Sequence, residues 1–131
     1  MELKVLGDDE VILIHDRILS ESGGLSGLSL NKSLTSALNR IDSHITYADV
    51  TDIYEIAALY AIVIAQGHVF NEGNKRTAMV SMINFLFLNN IMLEASNQAI
   101  ENKMVKIAEK KVTRAQLTAW IKKHSTVAKL G

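Results

Sequence analysis

The sequence predicts an all-α fold, a compact bundle of about six helices around a central apolar helix, in a single domain spanning residues 1–131. Three observations carry this reading. The chain has no proline and 5% aromatic residues while 48% are hydrophobic, which favours helices around an aliphatic core. Apolar residues recur at spacings of three and four along most of the chain. One segment, residues 78–88, is apolar on most faces, as befits a helix enclosed by others.

Asp8 or Asp9 is placed to cap a first helix through Leu19, with Val11, Ile14, Ile18 and Leu19 as its apolar stripe. His15 and Asp16 fall inside this helix, and His15 reads as a packed structural histidine. Ser22-Gly23-Gly24-Leu25-Ser26-Gly27 reads as a tight loop. Asn31 suits the cap of a second helix to about Ile41, with Leu34, Ala37, Leu38 and Ile41 facing inward. Residues 42–50 show no helical period, and Ile45-Thr46-Tyr47 is β-prone. A third helix, capped by Asp49 or Thr51, carries Ile53, Ile56, Ala57, Tyr60, Val63 and Ile64. The fourth, from about 74 to 89, is the central one, and Asn89-Asn90 ends it. Ser96 or Asn97 opens a fifth helix to about Ala108. Thr113-Arg114-Ala115-Gln116 spells a capping box for a sixth, which carries Leu117, Trp120 and Ile121.

Composition excludes several classes of function. Zero cysteines rule out disulfides and thiolate metal sites, in keeping with a cytoplasmic protein. Met1-Glu2-Leu3-Lys4-Val5 lacks the charged and apolar regions of a signal peptide. The longest apolar run, residues 56–65, has ten residues and is too short to cross a bilayer, so no membrane partner is expected. Net charge is zero, yet residues 1–60 hold ten acids against four bases and residues 61–131 hold four acids against ten bases. The basic end comprises Lys103, Lys106, Lys110, Lys111, Arg114, Lys122 and Lys123, with Trp120 its sole aromatic. That pattern reads as a solvated helical face, with an acidic protein partner as second reading and no direct nucleic-acid binding.

Chemistry concentrates between the third and fourth helices, in Gln66-Gly67-His68-Val69-Phe70-Asn71-Glu72-Gly73-Asn74-Lys75-Arg76-Thr77-Ala78. A polar, glycine-punctuated loop between two buried segments must have its groups satisfied or used. Gly67 suits a left-handed position just past a helix end. The N–H groups of Gly73, Asn74, Lys75 and Arg76 would be the open donors of a helix N-terminus, which attract an anion. Lys75 and Arg76 add two positive charges where cations are disfavoured unless an anion arrives. Glu72, the only acid between Glu55 and Glu94, is the natural Mg²⁺ ligand beside phosphate oxygens. His68 is placed to take a proton from an attacking hydroxyl, and Phe70 to anchor the loop in the core. A zinc hydrolase does not fit, because no His-Glu-x-x-His occurs and the other histidines have no ligand spacing to His68.

The run His68-Val69-Phe70-Asn71-Glu72-Gly73-Asn74-Lys75-Arg76 closely resembles the Fic/Doc superfamily signature, His-x-Phe-x-(Asp/Glu)-Gly-Asn-(Gly or Lys)-Arg. The likeness extends from His15-Asp16 through Gly23-Gly24-Leu25-Ser26-Gly27-Leu28 to Phe85-Leu86-Phe87-Leu88-Asn89-Asn90. The Asn-Lys-Arg ending and the short chain resemble the Doc branch, the death-on-curing toxins of toxin–antitoxin pairs. The resemblance implies the Fic/Doc fold, with ATP and Mg²⁺ at the site and His68, Lys75 and Arg76 as catalytic residues. It also implies phosphate-binding by Gly73, Asn74, Lys75 and Arg76, with Glu72 as metal ligand. Relatives commonly carry a Gly-x-Arg-Asp continuation where this chain has Gly27-Leu28-Ser29-Leu30, and some Doc sequences place alanine at position 73. In relatives the segment matching residues 42–50 is a flap that positions the protein substrate.

Three functions follow for weighing. Resemblance to Doc implies transfer of the γ-phosphate of ATP to a threonine of elongation factor Tu, arresting translation. The alternative is Fic-type AMP transfer to a protein hydroxyl. A glycine at position 75 would let backbone donors approach the α and β phosphates, whereas Lys75 narrows that nest and adds a point charge. In Doc this change accompanies a reversed nucleotide, and the Fic ending Gly-Arg-x-x-Arg meets Met79 here. A non-catalytic binding module would need decay of the site, yet His68, Glu72, Asn74, Lys75 and Arg76 are all intact. The inhibitory Fic pattern (Ser/Thr)-x-x-x-Glu-(Gly/Asn) fits neither Thr51-Asp52-Ile53-Tyr54-Glu55-Ile56 nor residues 97–101. Restraint by a separate antitoxin that inserts a helix into a groove is therefore the expected arrangement.

Overall fold

The computed structural model describes residues 2–23 and 33–128. These form α1 (Asp8–Ser22), α2 (Leu34–Tyr47), α3 (Ile53–Gly67), α4 (Asn74–Leu88), α5 (Asn97–Ala108) and α6 (Arg114–Lys123). Two three-residue strands, β1 (Ile91–Leu93) and β2 (Ser125–Val127), complete the described elements. The fold is the all-α bundle that the periodicity predicts.

The enclosed helix is α3. Every residue from Ile56 to Ala61 is buried, as are Val63, Ile64 and Ala65, and α2, α4, α5 and α6 all pack against it. This corrects the expectation that α4 is central. α4 covers one side of α3 and meets α1, α5 and β1 elsewhere, which leaves Phe87 and Leu88 exposed near its end. Apolar composition alone does not distinguish a helix packed all round from one packed on three sides.

Helix ends obey the capping chemistry, with shifts of register. Ser96 and Thr113 cap α5 and α6 as expected, and both bonds of the Thr113–Gln116 capping box are present. Asp52, not Asp49 or Thr51, caps α3 by accepting from Tyr54 N–H at 2.9 Å. Ser33 caps α2 by accepting from Ser36 N–H; Asn31 and residues 24–30 lie outside the described residues. Gly7 occupies the cap of α1 without a side-chain bond, which frees Asp8 to accept from the Thr35 hydroxyl at the start of α2.

Residues 42–47 are helical, contrary to the local β preference of Ile45-Thr46-Tyr47. Ile45 sits four residues after buried Ile41 and packs against the core, so the apolar stripe of α2 continues one more turn. Tertiary packing overrides a propensity worth only tenths of a kcal/mol per residue. The connection to α3 is reduced to residues 48–52.

Two side chains fasten the extended N-terminal segment. Tyr60 hydroxyl accepts from Leu6 N–H at 2.8 Å and donates to Leu6 C=O at 2.9 Å. Asn89 accepts from Lys4 N–H at 3.0 Å and donates to Lys4 C=O at 2.8 Å. β1 and β2 pair antiparallel, Met92 opposite Thr126, closing the end of α6 onto the end of α4.

Candidate active site

The loop between α3 and α4 is residues 68–73. Gly67 does not supply the left-handed turn; it is the last helical residue of α3, and His68 takes φ 50°, ψ 41°. Gln66 donates to Ile107 C=O at 2.9 Å, which ties this end of α3 to α5. The imidazole of His68 is exposed, whereas Val69 and Phe70 turn inward and are 2% and 3% exposed. Phe70 is thus the expected anchor. Asn71 and Glu72 return to the surface. Gly73 then adopts φ 84°, ψ 14°, and its carbonyl accepts from Thr77 N–H at 2.9 Å to start α4. A positive φ of this size favours glycine, which adopts it without the strain a β-carbon brings.

Two side chains hold the main chain of the loop. Asn74 accepts from Phe70 N–H at 3.1 Å and donates to Phe70 C=O at 2.9 Å. His15 donates through Nε2 to Glu72 C=O at 2.7 Å, and its ring stacks on Phe70 with centroids 3.8 Å apart and planes 8° from parallel. Its Nδ1 faces Asp16 Oδ1 at 3.4 Å. A β-carbon added to Gly73 would touch this ring at 3.4 Å. His15 is the residue whose link to the site sequence reasoning missed. The signal lay in α1: Val11, His15 and Leu19, four apart, are its buried line, and a polar ring in such a line needs a partner.

Every residue expected at the site therefore sits on one loop and the first turn of the following helix. His68 and Glu72 are exposed within the loop; Gly73 is the cap; Asn74, Lys75 and Arg76 open α4, with Lys75 and Arg76 exposed. The N-cap residue, Gly73, makes no side-chain bond to α4, and the first N–H groups of a helix have no intrahelical partner, the arrangement that attracts an anion. The amide of Asn74 is committed to Phe70, so its contribution to an anion would come from its main chain. A cavity of about 300 Å³ opens beside the two cations, lined by Lys75, Arg76, Met79, Glu101, Met104 and Val105. The donor chemistry suits a magnesium–polyphosphate pair: one carboxylate on the loop, with the N–H groups and two cations of the first turn of α4 beside it. Among the described residues no cluster of three or more His, Cys, Asp or Glu is built to hold a metal. At Glu72, then, the remaining ligands would be phosphate oxygens and water.

A helical bundle that presents this histidine-to-arginine loop at the start of α4 defines a class. Residues 5–86 match the Fic/DOC family, and the chain belongs to it. Over 91 residues it is 34% identical to Protein kinase doc of Escherichia phage P1, a match covering 70% of this chain and 72% of that protein. No helix among the described residues is long and apolar enough to cross a membrane.

Proposed function

We propose that this chain is the toxin of a toxin–antitoxin pair, acting in the cytoplasm by moving the γ-phosphate of ATP onto a Ser/Thr hydroxyl of a protein. By resemblance that protein is elongation factor Tu, and a separate antitoxin restrains the toxin by laying a helix in a groove. One observation carries the choice of phosphate over AMP: Lys75 stands exposed in the first turn of α4, where a glycine would leave the main chain open. Its side chain narrows the approach to the N–H groups and favours the nucleotide's terminal phosphate. The relative named a protein kinase supports the same choice.

The steps assigned to the chain's own residues are few. His68, at the mouth of the loop, takes the proton of the attacking hydroxyl. The hydroxyl oxygen bonds to the γ-phosphorus as the bond to the bridging β–γ oxygen breaks, and ADP departs. Arg76 holds phosphate oxygens bidentately, while Lys75 and the N–H groups of residues 73–76 offset the charge that gathers on them. Glu72 would hold Mg²⁺, which when bound neutralises phosphate charge and fixes the in-line geometry. Incubation with γ-labelled and α-labelled ATP in the presence of elongation factor Tu tests the reading. The expected result is label from the γ position only and a phosphate mass on a Ser/Thr residue. A nucleotide adduct from the unmutated protein would overturn it in favour of AMP transfer.

A further inference from the structure

We infer that His15 is a positioning residue of the site, setting the aim of the Glu72 carboxylate by holding that residue's main chain. The inference rests on the proposed phosphotransfer for its role, but on geometry for its substance. His15 is 1% exposed and lies mid-way along α1. Its Nε2–H does not serve α1; it reaches 57 positions along the chain to the carbonyl of Glu72 at 2.7 Å. The same ring lies flat against Phe70, 3.8 Å between centroids, and against the α-carbon side of Gly73. One imidazole thus meets the loop at positions 70, 72 and 73, while the Asn74 amide bonds the main chain of Phe70.

The consequence concerns Glu72. Its side chain is exposed, and the residue that follows it is a glycine at φ 84°. Without the Nε2–H donor, the peptide joining Glu72 to Gly73 loses this hydrogen bond to α1 and keeps only packing against it, as at Leu19; rotation there re-aims both the carboxylate and the first N–H of the anion site. An apolar ring of similar size would keep the stack on Phe70 and fill the same volume, yet it would not hold the carbonyl. This separates a positioning role from simple packing. Displacements of about 1 Å at a reacting centre cost on the order of 10²-fold in rate, so a modest loosening is readable.

The test compares His15→Phe, which keeps the ring, with His15→Gln, which keeps an N–H donor. In His15→Phe we expect a cooperative melt and kcat lowered about tenfold or more, with the KM for the target protein unchanged and the half-saturating Mg²⁺ concentration raised. Amide hydrogen exchange at residues 71–74 should quicken while α1 amides keep their protection. His15→Gln should recover most of kcat. Wild-type kcat and unchanged exchange at 71–74 in His15→Phe would overturn the inference, as would failure of both variants to fold, which would make His15 a core residue only. Should the wild type transfer nothing to any target, the phosphotransfer reading alone falls. The exchange comparison still decides whether His15 holds the loop.

Discussion

The imidazole proposed to accept the proton occupies a costly backbone position. Among the described residues only Asp49, His68, Asn90 and Lys110 take positive φ without being glycine. The left-handed region costs an L-residue roughly 1–2 kcal/mol, and such strain persists where surrounding structure enforces it, often at functional sites. Here α3 runs one residue further than the glycine suggests, and the reversal falls on the histidine itself. His68→Gly should therefore unfold at higher denaturant than His68→Ala, by about 1 kcal/mol, since glycine relieves the strain that alanine keeps. Both should lose transfer by roughly 10²-fold or more. Equal denaturation midpoints for the two variants would mean that position 68 is unstrained; full activity in either would remove the general-base role.

At the scale of elements, one device recurs: an asparagine whose amide brackets both the N–H and the C=O of another residue, four positions away in one case and 85 in the other. Asn74 does this to Phe70 at the start of α4 and Asn89 does it to Lys4 at the end. The same helix thereby fastens the loop at one end and the N-terminal segment at the other. Asn74→Ala should cost about 1–3 kcal/mol, because it removes a donor and an acceptor from two part-buried main-chain groups. Hydrogen exchange should then be fastest at residues 70–73. An unchanged exchange pattern would show that Phe70 holds the loop without the amide. Such amide clasps explain what the sequence could and could not reveal. The six helices were legible because apolar spacing is a local signal, and the candidate site could be picked out because its residues are contiguous from His68 to Arg76. The α1 contact from His15 was not, because no spacing rule links positions 57 apart. Three-residue strands are too short to show alternation, so β1 and β2 went unread. Trp120, conspicuous in the basic end, is occupied within the chain, with Lys103 Nζ 5.3 Å from its ring centroid and His124 tilted against it.

For the whole molecule, the N-terminal segment is locked to the enclosed helix by a titratable group, and this gives stability a pH dependence with a definite sign. Tyr60 is 2% exposed. Burial, opposed by the hydrogen bond with Leu6 and assisted by the negative charges of Asp42 and Glu10, pushes its hydroxyl up from 10.0 to about 12. The unfolded chain therefore releases this proton before the folded protein does. Below pH 10 the contribution is fully present and does not vary; between about pH 10 and 12 it is lost, as the unfolded state gains an ionisation the native state resists. Each tenfold difference in proton affinity between the two states is worth about 1.4 kcal/mol, so the loss amounts to about 2 to 3 kcal/mol. Tyr60→Phe removes both the titration and the two bonds to Leu6. It should be less stable than wild type by about 1–3 kcal/mol at neutral pH, with a gap that stays constant to pH 10 and narrows towards pH 12. Urea denaturation of the two proteins across that range checks it, and stability curves that stay parallel through pH 12 would show that the Tyr60 proton is not linked to folding.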